Sequence, residues 1–190
     1  MHPSFIQVAF QDIPRRNMTV SKLRPLWSGF SYFQHQTDGI NWMLDKEING
    51  TLVPNRSGTS EVLVRGGFQC DDMGLGKTTS TIIAALETGA KKILIVCPAS
   101  LKINWEREIR NYSDRKILIV EGRKWGSTFD FYIINYDIIK NYHTTDNSED
   151  SDDYKLLVNA GFELAIVDEA HYISNNTAQR TRLLNDVLER

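Results

Sequence analysis

Apolar residues along this chain follow two rhythms. Short unbroken runs recur at Ile93-Leu94-Ile95-Val96-Cys97, at Ile117-Leu118-Ile119-Val120 and at Phe131-Tyr132-Ile133-Ile134, and a further run from Phe162 to Val167 is interrupted by Glu163 alone. Between them apolar residues return every three or four positions, the spacing of one face of a helix. Unbroken runs suit parallel strands covered on both faces, because neither side of such a strand meets water. The chain therefore predicts strands and helices in alternation, and so an open parallel α/β sheet in three layers with helices on both faces. Sheets of this kind hold their ligands at the carboxyl ends of the strands.

The same pattern places the elements. Residues 32–44 predict a helix with Phe33, Ile40, Met43 and Leu44 as its apolar stripe. Gly66 to Cys70 predicts a short buried strand, and Thr79 to Glu87 a helix carrying Ile82, Ile83, Ala85 and Leu86. Pro98 ends the next strand. Leu101, Trp105, Ile109 and Tyr112 then space a helix whose wet side carries Glu106 and Arg110 as an i,i+4 pair. Residues 137–142, 154–160 and 177–190 predict further helices, the last with Leu183, Leu184, Val187 and Leu188 on one face. Asn49 to Ser60, with Gly50, Pro54 and Gly58, reads as a loop. Residues 1–31 read as an N-terminal arm or flanking segment, with 20–27 an extended arm lying on the domain, and 32–190 as the lobe proper.

Composition narrows the class. A chain of 190 residues, 41% hydrophobic and 24% charged, has the make-up of one globular domain. Its net charge of −2 excludes a global basic signature for nucleic acid, so any such contact must be local. Part of that negative charge is confined to one tract, where Asp146, Glu149, Asp150, Asp152 and Asp153 make residues 144–153 an acidic solvated loop. Cys70 and Cys97 are the chain's two cysteines. That number gives neither a disulfide framework nor metal-ligand spacing, and both read as buried, reduced thiols of an intracellular protein. No run is long enough for a membrane span, and Met1-His2-Pro3-Ser4-Phe5 does not open like a signal peptide.

Candidate chemistry is concentrated in Cys70-Asp71-Asp72-Met73-Gly74-Leu75-Gly76-Lys77-Thr78-Thr79, between a predicted strand and a predicted helix. Gly74 and Gly76 let backbone N–H groups turn inward without a Cβ in the way. The helix N-terminus adds about half a positive charge where a phosphate would sit. Lys77 supplies a full charge for β- and γ-phosphates, and Thr78 a hydroxyl for Mg²⁺. The widespread pattern G-x-x-x-x-G-K-[ST] would have Gly at Asp71, and this chain departs from it there.

Asp168 and Glu169, at the end of the last predicted strand, fit the other half of such a site. The first carboxylate can hold the Mg²⁺ that Thr78 touches, and the second can orient and deprotonate an attacking water. His171 would then lie near the γ-phosphate. Gln36 has an amide able to read an adenine edge, though Gln34 is equally available. Pro98-Ala99-Ser100-Leu101 offers a hydroxyl and free N–H groups at a helix start, suited to a phosphate and equally to an N-cap by Ser100.

Taken together these residues resemble the Swi/Snf-type ATPases of helicase superfamily two, and specifically their N-terminal RecA-like P-loop NTPase lobe. Residues 70–78 resemble the family's motif I, whose usual form is Ala-Asp-Glu/Asp-Met-Gly-Leu-Gly-Lys-Thr. His35-Gln36-Thr37-Asp38-Gly39-Ile40-Asn41-Trp42-Met43 resembles its Gln motif. Pro98-Ala99-Ser100-Leu101 with Asn104-Trp105 and Glu108 looks like motif Ia, and Asn135-Tyr136-Asp137 like motif Ib. Residues 168–175 look like motif II, a DEAH-box type of element. Gln34, Cys70 and Ser174 replace the usual Pro, Ala and a frequent Lys.

The resemblance implies ATP and Mg²⁺ as cofactors, with ATP contacts from Gln36, Asp72, Met73, Gly74, Leu75, Gly76, Lys77, Thr78 and Thr79. It implies Lys77, Asp168 and Glu169 as catalytic, Thr78 and Asp168 as Mg²⁺ ligands, and His171 in coupling. Pro98, Ser100 and Tyr136 would lie toward the backbone of double-stranded DNA, in the nucleus of a eukaryote or the cytoplasm of a bacterial or virus-infected cell. The family's engine has a second RecA-like lobe beyond a motif III that should follow the helix starting near Thr177. By this reading the 190 residues are half of an ATP site, inactive or very weak by themselves. Two other readings are a free-standing nucleotide- or DNA-binding regulatory module, and a motor fragment of another superfamily-two enzyme such as a restriction translocase.

Overall fold

The computed structural model describes residues 6–10, 23, 30–55, 57–72, 74–122, 126, 128–139, 152–173 and 179–188. In chain order these form β1 (Ile6–Phe10), α1 (Gln34–Ile48), β2 (Thr51–Pro54), β3 (Glu61–Val64), β4 (Gly67–Gln69), α2 (Lys77–Glu87) and β5 (Ile93–Cys97). There follow α3 (Lys102–Tyr112), β6 (Ile117–Ile119), β7 (Phe131–Asn135), α4 (Asp152–Val158), β8 (Leu164–Asp168) and α5 (Gln179–Leu188). Residues 136–139 are also helical.

Six strands make the main sheet in the order β4-β1-β8-β5-β7-β6. The pairs β5–β8, β5–β7 and β6–β7 are parallel, as the unbroken apolar runs predict. All five residues are buried in each of β5, β7 and β8. Their side chains alternate between two cores. Ile93, Ile95, Cys97, Phe131, Ile133, Leu164 and Ile166 pack with Ile82 and Ala85 of α2 and with Trp105 and Ile109 of α3. Leu94, Val96, Tyr132, Ile134, Ala165 and Val167 face the other way, onto Ile139, Leu157, Leu183, Leu184 and Val187. That is the three-layer arrangement, with helices on both faces.

The structure departs from the sequence reading in several places. β1 runs antiparallel to both its neighbours, so the sheet is mixed where an all-parallel one is expected. Its residues come from the stretch read as an arm, which lacks the long apolar run of the other strands. Residues 20–22 and 24–27 lie outside the described residues, while Leu23 packs beside Ile40, Met43 and Leu44. The segment read as a loop after α1 holds β2 and the turn of a hairpin, whose second strand, β3, follows it and pairs antiparallel with β2. Its short runs, Leu52-Val53 and Val62-Leu63-Val64, flank a polar turn in which the Asn55 side chain takes the N–H of Thr59. Phe33 is exposed rather than part of the α1 stripe, because it precedes the helix. Cys97 is buried as expected, but Cys70 is exposed just beyond the last residue of β4. The acidic tract lies outside the described residues up to position 151, and α4 starts at Asp152.

One buried acid gives the fold a pH dependence. Glu47 of α1 is 7% exposed and its Oε2 has no hydrogen-bond partner. Burial pushes its carboxyl up to about 9, against the opposing pull of Arg65. The folded form therefore holds this proton while the unfolded chain releases it near pH 4.5. The stability Glu47 contributes is complete below that pH and is lost as pH rises through about 9. Glu47→Gln, which stays neutral, is expected to be more stable than the parent at pH 8 by roughly 1–3 kcal/mol. Thermal melts from pH 5 to 9 check this, and parallel pH profiles for the two proteins would refute it.

Candidate functional site

The carboxyl ends of the strands align on one edge. Ile6 of β1 stands opposite Gln69, the last residue of β4, and opposite Asp168, the last residue of β8. With neighbouring strands about 4.8 Å apart, those two ends lie roughly 10 Å from each other. Everything that leaves β4 and β8 starts from that edge.

β4 is short and held from both sides. A Cβ on Gly67 would stand 2.5 Å from the Trp42 indole, so only glycine lets α1 approach the strand this closely. Gln69 is buried, accepting the Thr81 hydroxyl at 3.0 Å and donating to Asp71 Oδ2 at 3.0 Å. Asp71, the residue that departs from the widespread pattern, is thereby tied back to the strand and, through Gln69, to α2.

Gly74 and Gly76 both have positive φ, 87° and 77°, as an inward-turned loop requires. α2 begins at Lys77, two residues before the sequence pattern predicts, with Gly76 preceding it in the left-handed region. The Lys77 ammonium donates to the carbonyls of Asp71 at 2.6 Å and Asp72 at 2.9 Å, folding the loop around its own cation. The first turn of α1 closes over the loop. Nε2 of Gln36 lies 2.7 Å from where a Gly76 Cβ would stand, and His35 Nε2 is 3.3 Å from the Leu75 carbonyl. Gln36 Oε1 accepts the N–H of Phe33 at 3.1 Å, so the same amide also closes its own helix start. Gln34 instead bonds Asp38 at 2.8 Å, which separates two glutamines that the sequence alone left equivalent. Thr79 reaches the Tyr112 hydroxyl at 3.2 Å and so ties α2 to α3. Met73 lies outside the described residues.

Asp168 is 8% exposed. Burial raises its carboxyl pKa, the Trp105 hydrogen bond lowers it, Glu169 raises it, and the Lys77 charge is close enough to lower it. Trp105 Nε1 donates to Oδ2 at 2.9 Å. Glu169 is the residue with positive φ among the described non-glycines, at 55°. A side chain is held in that region only where its surroundings insist on it, and such residues gather at functional sites. Its Oε2 lies 3.2 Å from His171 Nδ1, and the His171 ring tilts against Tyr172 at 4.6 Å.

Pro98 and Ser100 stand at the same edge, Ser100 exposed within a 3₁₀ turn spanning Ala99–Leu101. Ser100 is not an N-cap, since Leu101 occupies that position of α3 without a side-chain bond. Tyr136 needs a larger correction. Expected toward DNA, it is 4% exposed, stacked on Tyr172 at 5.0 Å, with its hydroxyl donated to the backbone carbonyl of Asp168. A phenol committed inward does not meet a phosphate outside the fold. In sequence Trp105 was legible as an apolar helix position and as part of the motif Ia resemblance, but not as the partner of Asp168. The available signal was that a buried indole N–H requires an acceptor.

The donor set suits Mg²⁺, a hard cation that takes oxygen ligands and keeps waters. Among the described residues no cluster of three or more metal-ligating acids, histidines or cysteines occurs. The groups of the sequence reading that could hold such an ion are the Asp168 carboxylate and the Thr78 hydroxyl.

The fold and this edge define a RecA-like α/β lobe of the P-loop NTPase type. The sequence profile of the SNF2-related domain matches residues 35–190, and the chain belongs to that family. It is 32% identical over 155 residues to a probable global transactivator of Orgyia pseudotsugata multicapsid polyhedrosis virus, covering 75% of this chain and 27% of that protein. It is 30% identical over 162 residues to the DNA annealing helicase and endonuclease ZRANB3 of Bos taurus, covering 80% and 14%. Among solved structures, the Sulfolobus solfataricus SWI2/SNF2 ATPase core in complex with double-stranded DNA matches with a TM-score of 0.60 at 20% identity, covering 87% of this chain and 32% of that one. The chain thus spans less than a third of the length of each of these relatives. No helix among the described residues is long and apolar enough to cross a membrane.

Proposed function

We propose that these residues bind Mg·ATP as the first lobe of a DNA-dependent, helicase-like ATPase. The observation that carries the reading is the convergence of the Lys77 loop, Gln36 and the Asp168–Glu169 pair on one sheet edge. Lys77 exchanges its two loop carbonyls for phosphate oxygens, a charge-assisted contact stronger than the neutral acceptors it leaves. Gly74, Leu75 and Gly76 present backbone N–H groups to the same phosphates. Gln36, already against Gly76, turns its amide to adenine. Thr78 and Asp168 would hold Mg²⁺, which would offset charge on the transferred phosphoryl group. Glu169 takes a proton from the attacking water, with His171 beside it to pass its position on. Pro98 and Ser100, at the strand ends, are the residues that would meet a DNA backbone in this reading.

In the complete engine a second lobe closes the site, and an arginine finger in related P-loop enzymes is worth about 10³–10⁵ in rate. These 190 residues by themselves are therefore expected to bind nucleotide and to hydrolyse it slowly at most. The test is a titration with a fluorescent ATP analogue together with a steady-state ATPase assay, each with and without duplex DNA. Saturable Mg²⁺-dependent binding with little turnover is the expected result. Absence of binding overturns the nucleotide site, and rapid DNA-stimulated turnover overturns the half-site reading.

A further inference from the structure

Asp168 is gripped from both layers of the fold by buried aromatic donors. Trp105, 1% exposed, belongs to the core beneath α2 and α3, and its indole N–H reaches Oδ2 of Asp168. Tyr136 belongs to the core on the opposite face of the sheet, and its hydroxyl reaches the Asp168 main-chain carbonyl. These partners lie 63 and 32 residues away in sequence. Hydrophobic packing explains a large ring at either place, but it does not call for a polar hydrogen at its rim. Each donor would be costly to bury without an acceptor, and both acceptors belong to one residue.

The geometry separates the two tasks. A carboxylate has two oxygens, and a hydrogen bond on Oδ2 stops the group from spinning about its last torsion. The backbone N–H of Glu169 bonds the same carboxyl, so its plane is held by the strand end as well as by α3. The carbonyl held by Tyr136 belongs to the peptide that enters Glu169, the residue at φ 55°. Fixing that plane fixes where the left-handed residue begins, and the Tyr136–Tyr172 stack carries the restraint on to the neighbour of His171.

We propose that Trp105 and Tyr136 are positioning residues for the metal-binding carboxylate: the indole fixes the plane in which the Asp168 carboxylate meets the divalent ion, and the phenol sets the peptide leading to Glu169. The inference rests on the nucleotide reading above. It adds two residues that would touch neither nucleotide nor metal and would act through Asp168.

The experiment is calorimetric titration of the 190-residue chain with a non-hydrolysable ATP analogue, once in EDTA and once in Mg²⁺, for the parent, Trp105→Phe and Tyr136→Phe. Loss of an outer hydrogen bond to a metal ligand typically weakens metal binding 10–100-fold. In EDTA, where the Lys77 loop acts without metal, both variants are expected to match the parent within about twofold. The affinity gained on adding Mg²⁺ is expected to shrink about tenfold in Trp105→Phe and severalfold in Tyr136→Phe. A purely structural role would weaken binding equally in both conditions, and that result overturns the proposal, as does a full Mg²⁺ gain in both variants. If Trp105→Phe does not fold, Tyr136→Phe, which keeps the stacked ring, decides by the same comparison. A parent that gains nothing from Mg²⁺ is a different failure, because it removes the nucleotide reading and the inference with it.

Discussion

Lys77→Ala is expected to weaken nucleotide binding by roughly 100-fold or more while leaving the fold nearly as stable as before. The ammonium makes two hydrogen bonds, both to carbonyls of its own loop, at 2.6 and 2.9 Å. Those carbonyls belong to exposed residues and can turn to water when the side chain is removed. The stability cost is therefore about 1 kcal/mol or less. A phosphate cannot be compensated in this way. Hydrogen bonds to a charged partner are worth about 1.5–3 kcal/mol each, and two of them correspond to a factor of about 10² or more in affinity. Titration with a fluorescent ATP analogue, beside a thermal melt, measures both quantities. An affinity within threefold of the parent would show that the loop does not carry the phosphates.

Asp168→Asn should separate stability from function in the opposite sense. The carboxylate is 8% exposed, and burial is the foremost reason its pKa is raised. Keeping that charge in the fold costs stability at neutral pH, because the folded form favours the proton and the unfolded chain does not. Its contribution to stability is greatest at low pH and declines as pH rises through its raised pKa. Asparagine removes the charge, keeps the shape and still offers an oxygen to Trp105 Nε1. The variant is expected to melt at a temperature equal to or above the parent's at pH 7.5, yet to lose the Mg²⁺-dependent part of nucleotide affinity almost completely. Stability held in reserve at a reactive centre is a recurrent cost of function. A variant that melts well below the parent, with Mg²⁺ dependence intact, would mean that Asp168 is a structural carboxylate.

Much of the architecture was legible because it is local. The apolar runs read at 93–97, 131–134 and 162–167 became fully buried strands at 93–97, 131–135 and 164–168, and the helical spacings around Ile82, Trp105 and Leu183 became the covering layers. Such periodicities report how many sides of an element meet water. Gly76-Lys77-Thr78 opens a helix, with positive φ at the glycine where the chain must turn. The hairpin at 51–64 was harder to read. Its strands are four residues each and exposed throughout, so burial left no clear rhythm beside Pro54 and Gly58.

By itself the sequence determined the fold class, the glycine-rich loop at the start of α2, the paired acids and the family they resemble. Each depends on neighbouring residues and on spacings within one element. Only the tertiary structure decided that an antiparallel strand from residues 6–10 lies between β4 and β8, because strand pairing is chosen by what edge is available and not by local propensity. Only the tertiary structure placed Gln36 rather than Gln34 against Gly76, and turned Tyr136 from the surface to the carbonyl of Asp168. The same holds for Trp105. Its pattern asks for burial, but which acceptor a buried indole finds is settled by a residue 63 positions away, through a contact that exists only where α3 packs on the sheet.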